Sequence, residues 1–241
     1  AVVDNLNGMG IECKTLLYRV RPAQAVFFQN LITDCNVKPA GVSRYGVDWQ
    51  KSQFMQGTGI LDVGGHKFRT DTLRQRRHLT DCSKYKFIWY NQASEIPDKL
   101  IAFIHITTKE RYLRKGAPDL TARPGYKEFL YHMVEASYKG GVGFVVAIIS
   151  SDGTLLAAHI GLAMHGVVYW YLPAFNLDFR QHSPGRLLLL ETILQAQQRG
   201  YSVLDLTWGD DMYKLDWSNV VEPLVQVTLS VAQNQDEFAG K

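Results

Sequence analysis

Two short segments of the chain carry groups that could do chemistry. The first is residues 182–186, where a Gly-containing turn enters a helix predicted over residues 184–200. Such a turn presents backbone N–H groups and the positive end of the helix dipole to an anion. Gly185 lets a phosphate approach the backbone, and His182, Ser183 and Arg186 add donors. The turn therefore predicts a site for a phosphate-bearing ligand, with an ordinary N-cap at Ser183 as the alternative.

The second segment places carboxylates, a phenol and an amine at the end of a predicted strand: Asp205, Asp210, Asp211, Tyr213 and Lys214. Ligands of α/β sheets bind at the carboxyl ends of parallel strands. A carboxylate there can take a proton from a hydroxyl or an amine, and Tyr213 can act as a general acid. Asp205 could instead be a structural acceptor for nearby N–H groups, and Asp210 and Asp211 could form a turn. These residues alone leave both interpretations open.

Metal and covalent chemistry find little support in the sequence. Asp210 and Asp211 are adjacent and point differently on most backbones, and no spaced set of oxygen ligands accompanies them, so no metal is expected. The three cysteines lack zinc-ligand spacing and are expected to be reduced thiols; they are Cys13, Cys35 and Cys82. Cys82 has no readable His partner and no G-x-S-x-G elbow occurs, so covalent catalysis is not predicted.

His159 lies within a predicted strand, where a histidine is more often structural than catalytic. It stays a minor candidate base because a strand side chain can reach a central cleft.

The elements around these segments predict an α/β fold with a mixed, mostly antiparallel sheet flanked by helices. Strands over residues 143–150, 154–164 and 167–172 form a meander whose first turn contains Asp152-Gly153. A Leu-rich helix over 184–200 then leads to a strand over 201–207, which is the crossover that parallel neighbours require.

Upstream, the patterns predict helices and one short strand, with the rest of the first 65 residues irregular. The helices span about residues 22–35, 95–115 and 125–138, and the strand spans 87–90.

Composition and charge exclude few classes of function. The 241 residues carry a formal net charge of +3, and no apolar run reaches the length of a membrane span. The N-terminal residues lack a signal-peptide pattern, so a cytoplasmic protein is expected. Residues 66–86 are rich in Lys and Arg and could face phosphates or nucleic acid, although a solvated helix face is favoured. A dinucleotide-binding oxidoreductase is disfavoured because no G-x-G-x-x-G follows a strand.

The candidate residues also stand in an order typical of a known family. Tyr171-x-x-Ala-Phe-Asn-x-Asp178 is followed by Ser183-Pro-Gly185, by Gly200 after the helix, by Asp205, and by Gly209-x-x-x-Tyr213-Lys214. This order resembles the CelD/BcsL-type acetyltransferases, which are related to the Fem-type aminoacyl transferases in the GNAT superfamily. The resemblance covers about residues 72–217 and includes three weaker features, which are Arg76-Arg77, Phe129 and Gly153. It does not cover the segment before about Asp71. The expected organisation is a GNAT-like domain over residues 72–235 and an N-terminal segment, residues 1–71, that could belong to a second GNAT-like lobe.

The resemblance implies direct transfer of an acyl group from acetyl-CoA, or another acyl-CoA, to an amine or hydroxyl. The thioester would lie where strands 167–172 and 201–207 splay apart, and backbone groups near Leu172 to Ala174 would polarise its carbonyl. The pyrophosphate would sit on the turn at His182, Ser183, Gly185, Arg186 and Leu187, although the fuller Q/R-x-x-G-x-G/A motif is absent.

The same resemblance ranks the candidate side chains and suggests the acceptor. Asp205 and Tyr213 are the first candidates for proton transfer, with Asp178 and His159 behind them. The acceptor implied is a small molecule or a sugar of an envelope or exopolysaccharide precursor, contacted by three further side chains: Asp210, Asp211 and Lys214.

Two alternatives on the same fold remain. A Fem-like transferase would take its acyl group from aminoacyl-tRNA, and the basic residues 67–86 and Lys214 favour it. A GNAT-like domain without catalysis would serve as a binding module, and the incomplete phosphate motif favours that function.

Overall fold

The computed structural model describes residues 13–31, 35–51, 64–116, 118–209 and 211–231. The chain divides into two compact units. Of the described residues, those within 13–45, 208–211 and 221–231 form the smaller unit, and those within 46–207 and 212–220 form the larger. The expected domain boundary near residue 71 stays a prediction.

The smaller unit is built on strands that the sequence patterns did not indicate. Strand β1, Cys13–Val20, pairs antiparallel with β8, Val220–Val231, which in turn neighbours β2, Cys35–Asp48. Helix α1, Pro22–Leu31, packs Ala25 against Val227 and Leu229 of β8. The expectation of an irregular segment with a helix reaching Cys35 was therefore wrong: the helix ends at Leu31, and Cys35 begins a strand.

The larger unit follows the predicted order closely. Its helices and strands are α2 His66–Ser83, β3 Lys86–Tyr90, α3 Asp98–Lys115, α4 Tyr126–Lys139, β4 Gly143–Ile149, β5 Leu155–Met164, β6 Val167–Phe175, α5 Pro184–Gln198, β7 Val203–Trp208 and α6 Met212–Trp217. Short 3₁₀ helices occupy Trp49–Lys51, Ala93–Glu95, Leu120–Ala122 and Leu177–His182. Helix α3 starts after Pro97 rather than at Glu95, because a residue before proline is pushed out of helical geometry.

The sheet of the larger unit has the strand order β7-β6-β5-β4-β3. Strands β3 to β6 are antiparallel neighbours, and β7 runs parallel to β6 after the crossover through α5. The turn between β4 and β5 has Gly153 at a φ of 87°, and Ser150 N–H donates to Thr154 O at 3.0 Å. The predicted mixed, mostly antiparallel sheet flanked by helices is confirmed.

Helices cover the sheet of the larger unit on both faces. Helices α3 and α4 pack on the face that carries Val145, Ala158, Ile160, Leu172 and Ala174. Helix α5 contacts β4, β5 and β6, and its leucines 187–190 are buried. Because successive strand residues face opposite sides, the intervening residues, His159 among them, face α5. Each leucine buried there contributes about 1.5 to 3 kcal/mol to stability.

Candidate functional site

Strands β6 and β7 separate after a short parallel ladder. Their residue pairs are Val167 with Val203, Val168 with Leu204, and Tyr169 with Asp205, and no later residue pairs although β6 continues to Phe175. Beyond Tyr169 the facing edge of β6 is therefore no longer bonded to β7. A ligand can use backbone groups of a strand only where the neighbouring strand has left them.

The turn that follows β6 brings the predicted phosphate-binding residues together. Asn176 starts the 3₁₀ helix Leu177–His182 by accepting the Asp178 N–H at 3.0 Å, and Ser183 then adopts left-handed geometry with a φ of 49°. Pro184 occupies the first turn of α5, where its missing N–H costs no helical hydrogen bond. Ser183 stands at the N-cap position but its side chain makes no capping bond, so the N-cap alternative is wrong for its hydroxyl.

Gly185 lies against Phe175 at the end of β6. A Cβ at this position would stand 3.3 Å from Phe175 Cδ1, which is tighter than most contacts of a real Cβ. The bare backbone at the start of α5 is thus packed beside the end of the separated strand. This arrangement leaves the helix dipole pointing toward the region that β6 and β7 open.

Arginine and histidine side chains surround this turn. Arg180 is exposed, His182 and Arg186 are partly exposed, and the Arg186 guanidinium lies over the Phe68 ring of α2 at 4.9 Å. His182 Nε2 also lies 3.9 Å from the Cys82 Sγ at the end of α2. The sequence indicated no partner for Cys82, because α2 and the turn are far apart in the chain. The charges at the turn fit an anionic ligand.

Three of the predicted cofactor-binding residues could contact a ligand only through their backbone groups. The side chains of Leu172, Ala174 and Leu187 are buried. Pro173, between the first two, has no N–H and its carbonyl accepts a bond from Arg111 Nη1 at 3.1 Å. The Leu172 and Ala174 N–H groups face β5, because Asn176, in the same alternation along β6, donates its N–H to Leu156 O of β5.

Asp205 ends the parallel ladder and binds its own strand. The residue is 6% exposed, and its Oδ1 accepts the Thr207 N–H at 2.7 Å. Thr207 has a φ of 63°, so the strand departs from extended geometry there. The sequence left two interpretations of Asp205 open, a structural acceptor and a group that transfers protons. The carboxylate makes the structural contact.

His159 of β5 is fully buried between aromatic rings. Its ring stacks on Trp170 at a centroid distance of 3.9 Å and lies 5.0 Å from Phe144. Its Nε2 accepts the Tyr171 N–H at 2.8 Å. Burial lowers the pKa of His159 well below its ordinary value, so the imidazole is neutral.

The remaining predicted residues follow β7 or begin the turn. Tyr213 is partly exposed on the short helix α6, and Lys214 beside it is buried. Asp211 is exposed, and Asp210 lies outside the described residues. Asp178 is exposed on the 3₁₀ helix. The predicted cofactor set thus divides between β6 and the turn at residues 182–187, and the acceptor set divides between α6 and the residues before it.

An aromatic group that the sequence did not single out lies on the α3 and α4 side of β6. The phenol of Tyr126 is partly buried, and burial, together with the nearby phenols of Tyr171 and Tyr112, raises its pKa. Arg111 is close enough to oppose this shift. The Tyr171 ring is 56% exposed. In the sequence, the only sign of this group is that Tyr112 and Tyr126 stand on either side of the connection between α3 and α4.

Within the described ranges, no group of three or more His, Cys, Asp or Glu side chains is arranged to hold a metal ion. Among those same residues, no helix is both long and apolar enough to cross a membrane.

A parallel strand pair that opens beside a helix N-terminus, within a mostly antiparallel sheet, is the architecture of GNAT-like acyltransferases. The family model described as an acetyltransferase (GNAT) domain matches residues 66–215. The chain belongs to this family. Among curated proteins, none matches the sequence with significance.

Solved structures of the same fold extend over most of the chain. The C-terminal domain of a protein assigned as a lysylphosphatidylglycerol synthetase from Agrobacterium fabrum is 14% identical, with 94% of this chain and 70% of that one covered and a TM-score of 0.60. L-PGS from Bacillus licheniformis is 10% identical, with 88% and 67% covered and a TM-score of 0.57. FemX is 9% identical, with 94% and 67% covered and a TM-score of 0.57. At these identities the likeness shows the fold alone.

Proposed function

We propose that the protein transfers an acyl group from acetyl-CoA, or a related acyl-CoA, to a hydroxyl or amine. The observation that carries the proposal is the opening of β6 and β7 directly beside the α5 N-terminus at Gly185. GNAT-family membership supports the donor. Retaining the resemblance to the CelD/BcsL type, we propose a sugar of an envelope or exopolysaccharide precursor as acceptor, and a cytoplasmic location.

The residues at the turn fit the anionic part of such a donor. Gly185 leaves the helix start without a side chain, Arg180 and Arg186 supply positive charge around it, and His182 adds a ring nitrogen. The pyrophosphate would lie on this turn, held by the helix dipole and by these side chains. When bound, the thioester supplies an activated acyl group. Its carbonyl would lie at the opened edge of β6 beyond Tyr169, the edge opposite to the one that the Leu172 and Ala174 N–H groups face.

Proton transfer is assigned to the residues at the end of β7. We propose that Asp205 takes the proton of the acceptor and that Tyr213 donates one to the leaving thiolate. Asp178, exposed on the 3₁₀ helix, is the reserve candidate for the base. Asp211 and Lys214, with Asp210, are proposed acceptor contacts.

The aromatic group on the α3 and α4 side supports a sugar acceptor. Tyr171 exposes most of its ring beside Tyr126, and apolar ring faces pack against the C–H faces of sugars. Arg111 adds a charge close to Tyr126 and donates to the Pro173 carbonyl. The same charge suits an acceptor that carries phosphate.

Calorimetric titration of acetyl-CoA and free CoA tests the donor site. We expect micromolar binding by the wild-type protein and at least a tenfold loss in Gly185→Asp, because a carboxylate at the helix start repels phosphate. Gly185→Asn is the matched control, since it adds the same bulk without charge, and it should lose much less. Absence of binding by the wild-type protein would contradict the coenzyme A donor. Equal loss in both variants would mean that bulk against Phe175, and not charge, controls the site.

A Fem-like, aminoacyl-tRNA-dependent transferase is the second candidate, because helix α2 and the strand after it display exposed cations. These are Lys67, Arg74, Arg77, Lys84 and Lys86. Binding of tRNA through such a surface weakens steeply with salt. Filter binding of tRNA at 50 and 200 mM salt distinguishes the two donors: tight, salt-sensitive tRNA binding without coenzyme A binding would favour this candidate.

A further inference from the structure

Strand β6 contains a bulge where it leaves β7. In its pairing with β5, Ile160 stands opposite Leu172, but Leu162 stands opposite Tyr169. Two residues of β6, Trp170 and Tyr171, therefore face the single residue Gly161. An extra residue of this kind bends a strand, increases its twist and re-aims the backbone groups around it.

The backbone of the bulge is bonded to a side chain. The Tyr171 N–H donates to His159 Nε2 at 2.8 Å. An imidazole that accepts at Nε2 and is neutral carries its proton on Nδ1. The stack on Trp170, with an angle of 4° between the rings, holds the imidazole in this orientation. Both residues of the bulge thus contact His159: Tyr171 through its backbone N–H and Trp170 through its stacked ring.

Gly161 makes room for this arrangement. A Cβ on Gly161 would overlap the Tyr169 carbonyl oxygen and would lie 2.5 Å from His159 Cε1. Any side chain at this position would push β6 away or displace the imidazole. Gly161 and His159 therefore act on the same bulge from the same strand.

The position of the bulge relates it to the proposed site. The last β6–β7 pair is Tyr169 with Asp205, and the bulge begins at the next residue. We propose that His159 is a positioning residue, which fixes the bulge through the Tyr171 N–H and thereby sets where β6 leaves β7 and how the backbone beyond the bulge is aimed. The inference rests on the proposed acyl transfer for its consequence, but the bulge and its hydrogen bond exist without it.

This role replaces proton transfer by His159. The side chain is fully buried, and the lone pair that could take a proton is already bonded to Tyr171. Nδ1 has no hydrogen-bond partner among the described residues. A buried donor without a partner costs about 1 to 3 kcal/mol of stability, and the buried Nδ1 proton of His159 carries this cost.

Nuclear magnetic resonance of the wild-type protein tests the hydrogen bond without any ligand. We expect a scalar coupling across the bond between the Tyr171 amide nitrogen and His159 Nε2, and imidazole shifts of the Nδ1-protonated ring. The Tyr171 amide should exchange with solvent at least about 100-fold more slowly than amides of exposed turns. A missing coupling together with fast exchange would overturn the inference, whatever the activity.

Two variants of His159 separate positioning from proton transfer. His159→Phe keeps a ring on Trp170 but removes the acceptor, and His159→Gln keeps an acceptor at similar reach but removes the ring. We expect kcat to fall about 10- to 100-fold in His159→Phe, with the KM for the acyl donor little changed, because a misplaced strand edge costs about this much in rate. His159→Gln should recover most of kcat and keep the wild-type pH profile.

The alternatives give other patterns. If His159 transferred protons, His159→Gln would be as slow as His159→Phe and would lose one limb of the pH profile. If the residue only filled space, kcat per folded molecule would stay unchanged in both variants. Either pattern contradicts positioning. A wild-type protein that binds no acyl donor contradicts the proposed function instead, and the resonance test of the hydrogen bond still stands.

Discussion

The Asp205 carboxylate accepts the backbone N–H of Thr207 at 2.7 Å, across the residue that follows the last β6–β7 pair. Thr207 has left-handed geometry, which a β-branched residue adopts at a cost of about 1 to 3 kcal/mol. The bond offsets part of that cost and supplies a partner for an N–H that has left the ladder. Asp205 therefore contributes to the shape of the strand end as well as being the proposed base.

Replacing Asp205 with Asn separates these two contributions. The Asn amide oxygen can still accept the Thr207 N–H but cannot take a proton from the acceptor. We expect Asp205→Asn to lower kcat about 10²- to 10⁴-fold, and to lose less free energy of unfolding than a variant that also removes the acceptor oxygen. Steady-state kinetics and urea unfolding give the two quantities. Near wild-type kcat in Asp205→Asn would assign Asp205 to structure alone, and Asp205→Leu, which also loses the acceptor, is the control for stability.

Gly161→Ala should be strongly destabilising. The added methyl group would meet the Tyr169 carbonyl, His159 Cε1 and Phe144 Cδ1, all in the packed interior. Since one of these is ladder backbone, the strand itself must shift, and we expect a loss of about 3 kcal/mol in the free energy of unfolding. Gly65→Ala is the control: its Cβ meets nothing within 4 Å, so it should change stability by less than about 0.5 kcal/mol. Comparable losses in urea unfolding of the two variants would contradict the packing at Gly161.

The meander and the α5 crossover could be predicted from the sequence because their signals are local. Apolar periodicity predicted strands β4 to β6 and helix α5, and Asp152-Gly153 predicted the turn between β4 and β5. Strand β2 could not be predicted in this way. It contains Pro39, Gly41 and Gly46, which are turn signals when taken alone, and its partner β8 comes from the other end of the chain.

The candidate site could be predicted from the sequence where one short segment supplies all of its residues. Ser183, Pro184 and Gly185 form one turn, so their chemistry follows from sequence order. The bond between His159 and Tyr171 depends instead on the register of two strands, and the approach of Cys82 to His182 depends on packing between α2 and the turn. Neither relationship leaves a periodic signal, because each joins residues distant in the chain.

Cys82 offers a chemical probe of the proposed phosphate turn. Its thiol is exposed and lies 3.9 Å from His182 Nε2, so a donor bound at the turn should shield it. We expect acetyl-CoA to slow alkylation of Cys82 by iodoacetamide several-fold, as measured by mass spectrometry of the Cys82 peptide. Cys35, which is partly buried in β2, is the internal control and should react at the same rate with and without donor. Protection should disappear in Gly185→Asp, and unchanged alkylation of the wild-type protein at saturating acetyl-CoA would contradict the placement of the donor.

Burial of neutral His159 predicts a loss of stability in mild acid. Its pKa in the folded protein lies well below the usual value of 6.5, so below pH 6.5 the unfolded chain binds a proton that the folded protein does not. The contribution of neutral His159 to the free energy of unfolding is therefore complete above pH 6.5. It decreases as the pH falls toward the folded-state pKa, by about 1.4 kcal/mol per pH unit at most. Urea unfolding at pH 7.5 and 5.5 should show a loss in the wild-type protein that exceeds the loss in His159→Gln by about 1.4 kcal/mol. Equal losses in the wild-type protein and His159→Gln would mean that His159 accepts a proton in the folded state, and the Nε2 bond to Tyr171 would then have to break in mild acid.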